Sequence, residues 1–326
     1  MTGASVSSLP TNHAQQANEV VLGEEGFDPF LLALDDMLLL HHYTASTYAV
    51  LDTCSNSKTQ RLWQDNVVRL GLQHPFLLRG VLAVSATHLA FLLPNTKSKY
   101  LLQSSIHVDI ALQEFRKQLL RLQESQVLPL FPLACLLVVQ NLASVNLQNT
   151  YDHIEAFLSC VQLVKGVSTV LKARWDVFEH CELSPLISAG IMRDRDVQTS
   201  EFACLRDAVR DRMQEATETD RLACLTAIHE LQFVFNGVQE CVQGKSPLAI
   251  LLTWPLKLPP RFVEMLSGRH PMALIILAHM VVILQYVGQV WWLSGWDARL
   301  LETITANLKD EYRMWLTWPM GCIRRE

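Results

Sequence analysis

Apolar residues recur along this chain at intervals of three and four, and almost nowhere in sustained alternation. From Lys97 to Leu122 the stripe runs Leu101, Leu102, Ser105, Val108, Leu112, Phe115 and Leu119 with charges between, which predicts one amphipathic helix. Leu222, Leu225, Ile228, Leu231, Phe235 and Val238 form a second stripe, with Thr217 or Thr219 placed to cap it. Asp28-Pro29 precedes an apolar run to His41, and His74-Pro75 precedes Phe76 to Leu93. Both predict helices with Pro in the first turn, where its missing N–H is no loss. Pro94-Asn95 stops the second, and an amphipathic segment from Leu300 to Trp315 closes the chain. No alternating run is bounded by Asn-Gly or Asp-Gly turns, so the predicted class is all-α.

Two stretches carry no Asp, Glu, Lys or Arg: Ser125 to Tyr151 and His270 to Trp296. Met272 to Leu293 is long enough to cross a bilayer, which takes about 20 apolar residues. His279, Gln285, Gly288 and Gln289 interrupt it, and no Lys/Arg-rich loop flanks it. It reads as a helix buried on all sides and not as a membrane span, and Pro132 to Val145 reads as a second buried helix. Cys181 to Thr199 and Gln243 to Pro260, with their prolines, glycines and mixed charge, read as loops. The expected organisation is a disordered polar tail over residues 1–25, then a single large helical domain over 26–326 with an apolar interior cavity.

Composition sharpens this picture. Half of the 326 residues are hydrophobic and 18% are charged, against a usual charged share of about a quarter. The excess apolar surface has to enter a thick core, a ligand cavity or a subunit interface. A formal net charge of −5 without clustered Lys and Arg argues against direct nucleic-acid binding. The tail to Leu22 lacks the basic and apolar parts of a secretory signal, which points to an intracellular protein of cytoplasm, nucleus or both.

Candidate chemistry is sparse. None of the eight cysteines lies within four residues of another, so the pattern predicts buried reduced thiols and no metal site. G-x-S-x-G, H-E-x-x-H, P-loop and G-x-G-x-x-G motifs are absent, and no cofactor is expected. Asp35 and Asp36, being adjacent, point apart and read as a solvated helix flank. His41 and His42 likewise diverge, so at most one faces the interior. His88 and His279 lie in apolar helices, as hydrogen-bonded core histidines or as bases. Trp291, Trp292 and Trp296 form a cluster beside Gly288 and Gly295, which permit close approach of a helix or a flat ligand.

Several blocks together resemble the regulatory region of fungal zinc-cluster transcription factors, most closely the sterol uptake control type. They are Leu39 to Thr47, His74 to Ala90 and the helix Tyr100…His107…Phe115-Arg116…Leu119. Trp254-Pro255…Phe262-Val263, Pro271 to His279, Trp291 to Trp296 and Trp315…Trp318-Pro319 follow in order. The resemblance implies an all-α domain whose apolar cavity holds a sterol. It also implies a ligand-binding role for Trp291, Trp292, Gly295 and Trp296. Leu137 and Asn141 lie on the apolar helix Leu133 to Val145, a candidate pocket wall by composition. Family members carry a six-cysteine zinc cluster ahead of this region, and no cysteines here are spaced for one, so a separate DNA-binding partner is expected.

The leading expectation is a transcription-factor-like regulator that binds a sterol or other apolar metabolite. The alternative is a cofactor-free cyclase or isomerase of secondary metabolism acting on a terpenoid or polyketide in the same cavity. It would use buried polar groups such as His41, His88, His279, Gln140 or Asn141. A homodimer built on the tryptophan cluster is a third.

Overall fold

The computed structural model describes residues 33–51, 57–121, 124–148, 152–173, 181–183, 202–239, 247–287 and 290–323. All of them fall in the compact unit Leu32–Glu326. The expected tail over residues 1–25, the Asp28-Pro29 helix start and Gly288 lie outside them. Among the described residues there are helices and turns but no strand, as the apolar periodicity predicts.

The first half gathers around one helix. α1 spans Leu34–Ala45, α2 Ser57–Arg61, α3 Val67–Gln73, α4 Pro75–Leu92, α5 Lys97–Arg121 and α6 Glu124–Gln148. α4 starts with Pro75 in its first turn, and 14 of its 18 residues are buried. It packs against α1, α3, α5 and α6, so it needs no polar face. Gly80 lets α6 come close, since a Cβ there would stand 2.4 Å from Leu133 Cδ1. α7, His153–Ala173, packs on α6 and leads to the second half.

In that half α8 spans Ala203–Arg212, α9 Glu218–Gln239, α10 Pro247–Lys257, α11 Pro260–Ser267, α12 Pro271–Leu284, α13 Trp296–Ala306 and α14 Thr317–Ile323. α12 is enclosed as α4 is, with Met272 through Ile283 all buried. The uncharged run from His270 does not continue as one helix to Leu293. α12 ends at Leu284, where polar side chains return with Gln285, and short 3-10 turns follow at Gln285–Val287 and Trp291–Leu293.

α4 and the part of α6 from Leu128 to Gln148 are each long and apolar enough to cross a membrane. Other helices enclose most of both, 78% and 72% of the respective windows being buried in the protein. α11 and α12 together also pass on length, but they bend by 100° at their junction.

Three local expectations change. The described part of the expected loop Gln243 to Pro260 contains α10, because Pro247 sits at its first position and Pro255 near its end, where few backbone bonds are lost. The closing amphipathic segment Leu300 to Trp315 divides into the later part of α13 and most of a 3-10 turn over Asp310–Leu316, with α14 following it. Of the expected loop Cys181 to Thr199 only residues 181–183 are described.

Candidate functional site

The site is assembled where the second half of α4, the end of α1 and the C-terminal half of α6 meet the segment Val290 to Trp296. Gly295 sets its shape: φ is +76°, and it is the N-cap of α13. No atom lies within 4 Å of where a Cβ would stand, so the turn needs glycine for its backbone angle and not for close packing.

The three tryptophans around this turn are treated differently. Trp292 and Trp296 are each 1% exposed. Trp292 Nε1 donates to the Leu51 carbonyl at 3.1 Å and Trp296 Nε1 to the Leu142 carbonyl at 2.8 Å. Trp296 also meets the His153 ring edge-on at 4.9 Å. Trp291 is 9% exposed, and among the described residues its Nε1 has no acceptor. Its ring lies 4.8 Å from that of His88 and 5.6 Å from that of Phe91. Leu137 is in the core of α6, whereas the Asn141 amide is taken by α7, donating to the Ala156 carbonyl at 3.1 Å and to Cys160 Sγ at 3.3 Å. α6 is tied to the turn by Asn146, which donates to the Ser294 carbonyl, and by Arg299, which donates to Asn146 Oδ1 at 3.0 Å.

His88 is held by α1 and the turn after it. Its Nδ1 lies 3.2 Å from His42 Nε2 and 3.0 Å from Thr47 Oγ1. Burial, then the neighbouring His42, pushes its pKa down to about 4, and burial likewise lowers that of His42. Both rings are neutral at pH 7. His41, the adjacent candidate, stands on the exposed face of α1. His279 is apart from this cluster, in α12. Its Nδ1 donates to the Ile275 carbonyl at 2.9 Å, its Nε2 faces Cys204 Sγ at 3.9 Å, and Trp318 stacks on it at 5.3 Å. Burial pushes its pKa down to about 4 and raises that of Cys204, so the two rest as a neutral pair. The structure thus brings His88 together with Trp291, and Trp296 with α6, but separates both from His279.

The residue reading missed a second polar cluster. Asp36 is not on a solvated flank: it is buried, and Arg79 donates to its Oδ2 at 3.0 Å while His107 Nε2 donates to its Oδ1 at 3.2 Å. Arg79 also donates to His107 Nδ1 at 3.2 Å, which closes a ring of three side chains across α1, α4 and α5. Burial, the largest influence on His107, lowers its pKa. Asp35 behaves as expected, on the surface beside Lys99. The available signal was Arg79 itself, the one charge in an otherwise uncharged helix, which demands a buried partner. A third polar line runs beside it: Ser104 Oγ meets Thr87 Oγ1 at 2.7 Å and accepts from Gln140 Nε2 at 3.1 Å. Among the described residues no group of three or more His, Cys, Asp or Glu is placed to hold a metal ion.

Two enclosed helices, each crossed by polar clusters, define an all-α domain with a deep apolar interior. Comparison with known proteins gives what this chain is similar to. The model of the "fungal specific transcription factor domain" matches residues 38–192. The chain is similar to sterol uptake control protein 2 of Saccharomyces cerevisiae, 26% identical over 296 residues that cover 86% of this chain and 31% of that protein. A Zn(2)-C6 fungal-type transcription factor of Gibberella zeae is 25% identical over 307 residues, 87% of this chain and 61% of the relative. Sterol uptake control protein 2 of Candida albicans is 26% identical over 186 residues, 57% of this chain and 25% of the relative. The chain spans less than two thirds of the length of each of these curated relatives.

Proposed function

We propose that this domain regulates transcription by taking up a sterol or a similar apolar metabolite, with the Trp291 to Trp296 turn and α6 forming part of the binding wall. The observation that carries the reading is the similarity to a sterol uptake control protein over 86% of the chain. The charge-poor interior agrees with it, because an apolar ligand gains from burial in proportion to the area removed from water. Regulation follows if the ligand favours one of two conformations, so that occupancy changes the surface offered to a DNA-binding partner in the nucleus or cytoplasm. The regulatory domain spans residues 26–326 and can act as a homodimer.

The test is mass spectrometry of small molecules before and after incubation of the purified chain with sterols and with an apolar extract of the source organism. Retention of about one equivalent, recovered unchanged, is the expected result; retention of nothing from either source overturns it. The cyclase or isomerase alternative predicts a product accumulating beyond one equivalent. It then predicts that His88→Ala or His279→Ala abolishes turnover in a folded protein. A base with a pKa near 4 takes up a proton poorly at neutral pH, so the histidine environments favour the regulator.

A further inference from the structure

Three indoles lie within six residues at the candidate site, and only one of them lacks an acceptor. Trp292 and Trp296 give their N–H groups to backbone carbonyls of distant segments, and Trp254 does the same, donating to the Ala227 carbonyl at 3.0 Å. That is the usual behaviour of a buried indole. Trp291 is nearly as buried, yet its Nε1 meets no acceptor among the described residues. A buried donor left unmade costs about 1–3 kcal/mol, and folded proteins seldom leave one without a use. Trp315 Nε1 also lacks an acceptor, but its residue is only half-buried, where a small shift brings it to water.

The surroundings of Trp291 limit what can supply the missing acceptor. His88 and Phe91 flank its ring, and His42 and Thr47 stand behind His88. These groups are aromatic or uncharged, and burial keeps both histidines neutral at pH 7. An anion would find no counter-charge among them and would lose its hydration. A neutral oxygen on a flat, apolar body fits: the body lies against aromatic faces and the oxygen accepts one hydrogen bond. Phe91 is 40% exposed, so the cluster reaches the surface on that side.

We propose that Trp291 Nε1–H is the hydrogen-bond donor to the single hydroxyl or carbonyl oxygen of the bound apolar molecule, whereas Trp292 and Trp296 hold the turn. This rests on the ligand-binding reading above and adds the polar anchor that orients the ligand.

The experiment compares wild type, Trp291→Phe and Trp292→Phe in the full chain. Each is titrated with cholesterol, cholest-4-en-3-one and the 3-deoxy hydrocarbon cholest-5-ene, delivered from cyclodextrin, and each is melted without ligand. Trp291→Phe removes the donor together with part of the ring's area. The lost packing falls on all three probes alike, so the donor is read from the difference between the oxygen-bearing sterols and the hydrocarbon. The substitution should lower the melting temperature little and weaken an oxygen-bearing sterol about tenfold more than the hydrocarbon. Whichever of the alcohol and the ketone loses more identifies the oxygen the site accepts. Trp292→Phe should lower the melting temperature instead. Equal weakening of sterol and hydrocarbon by Trp291→Phe, or no weakening at all, overturns the assignment while leaving the ligand reading intact. So does a loss of stability matching that of Trp292→Phe. If wild type binds none of the three probes, the ligand reading falls and takes this assignment with it.

Discussion

Arg79 and His88 stand on the same buried helix, nine positions apart, and their surroundings are built on opposite terms. At the Arg79 end a cation, an anion and a neutral imidazole are bonded to one another in a ring, and Ala33 N–H adds a further bond to Asp36 Oδ2 at 3.2 Å. At the His88 end the groups are uncharged, two partners share one imidazole nitrogen, and a neighbouring indole N–H is left over. A closed network holds α1, α4 and α5 in one arrangement. An open one leaves binding capacity for something else. On the proposed function, structure and ligand binding are divided along a single helix.

The largest effect should come from breaking the closed network. Asp36→Ala leaves the Arg79 cation buried without its carboxylate, and removing one partner of a buried pair costs about 3–5 kcal/mol. Asp36→Leu combined with Arg79→Met removes both charges and should recover most of that loss, as a denaturant double-mutant cycle would register. A single Asp36→Ala that melts with the wild type would mean the ring is not holding α1, and the contrast between the two ends would collapse.

Acid should attack the other end. His88 is held near pKa 4 against an ordinary 6.5, so the unfolded chain binds more protons between those values. The stability this provides is complete above about pH 6.5 and is lost as the pH falls towards 4. His279 in α12 behaves in the same way. Each such group contributes a slope of at most about 1.4 kcal/mol per pH unit. His88→Asn should therefore flatten the loss between pH 6.5 and 4 in urea melts while leaving the contribution of His279. An unchanged slope would show that His88 is free to protonate in the folded protein.

How far these regions can be read from sequence depends on what faces the buried side. The buried part of α6 and the enclosed helix α12 are legible because absence of charge is an all-round property that needs no register, whereas α4 carries Arg79 and shows in the sequence only as a helix with Pro in its first turn. Register itself is harder. On α5 the apolar stripe places Leu102 and Ser105 inward, yet Leu102 is 63% exposed, and Ser104, His107 and Gln118 are buried instead. The inward face is matched to polar groups on α4, so polarity there marks the interior. On α9, Thr217 Oγ1 does accept from Asp220 N at 3.2 Å, as the cap reading predicts. Leu222 nevertheless faces outward, while Ala223, Cys224 and Ala227 turn inward, where small side chains admit Trp254 to the Ala227 carbonyl. The tryptophan cluster was visible as a cluster. Which indole lacks an acceptor depends on carbonyls 241 and 154 positions away, at Leu51 and Leu142, and no local pattern carries that.

The smallest predicted effects separate the two ends through their glycines. Gly80, beside Arg79, is needed for space: a Cβ would stand 2.4 Å from Leu133 Cδ1 in the packed core. Overpacking there costs about 1–3 kcal/mol, offset by about 1 kcal/mol of helix propensity gained by Ala. Gly295, before Trp296, is needed for its angle: φ is +76° with nothing within 4 Å of a Cβ. Left-handed backbone costs Ala about 1–2 kcal/mol and Asn less, because a short polar side chain tolerates it. The ranking should therefore invert. At Gly80 Ala is the milder replacement and Asn the harsher, since Asn is larger and brings an amide into an apolar contact. At Gly295 Asn is milder than Ala. Four melting curves decide it, and the same order at both positions would mean that one constraint, steric or conformational, governs both ends.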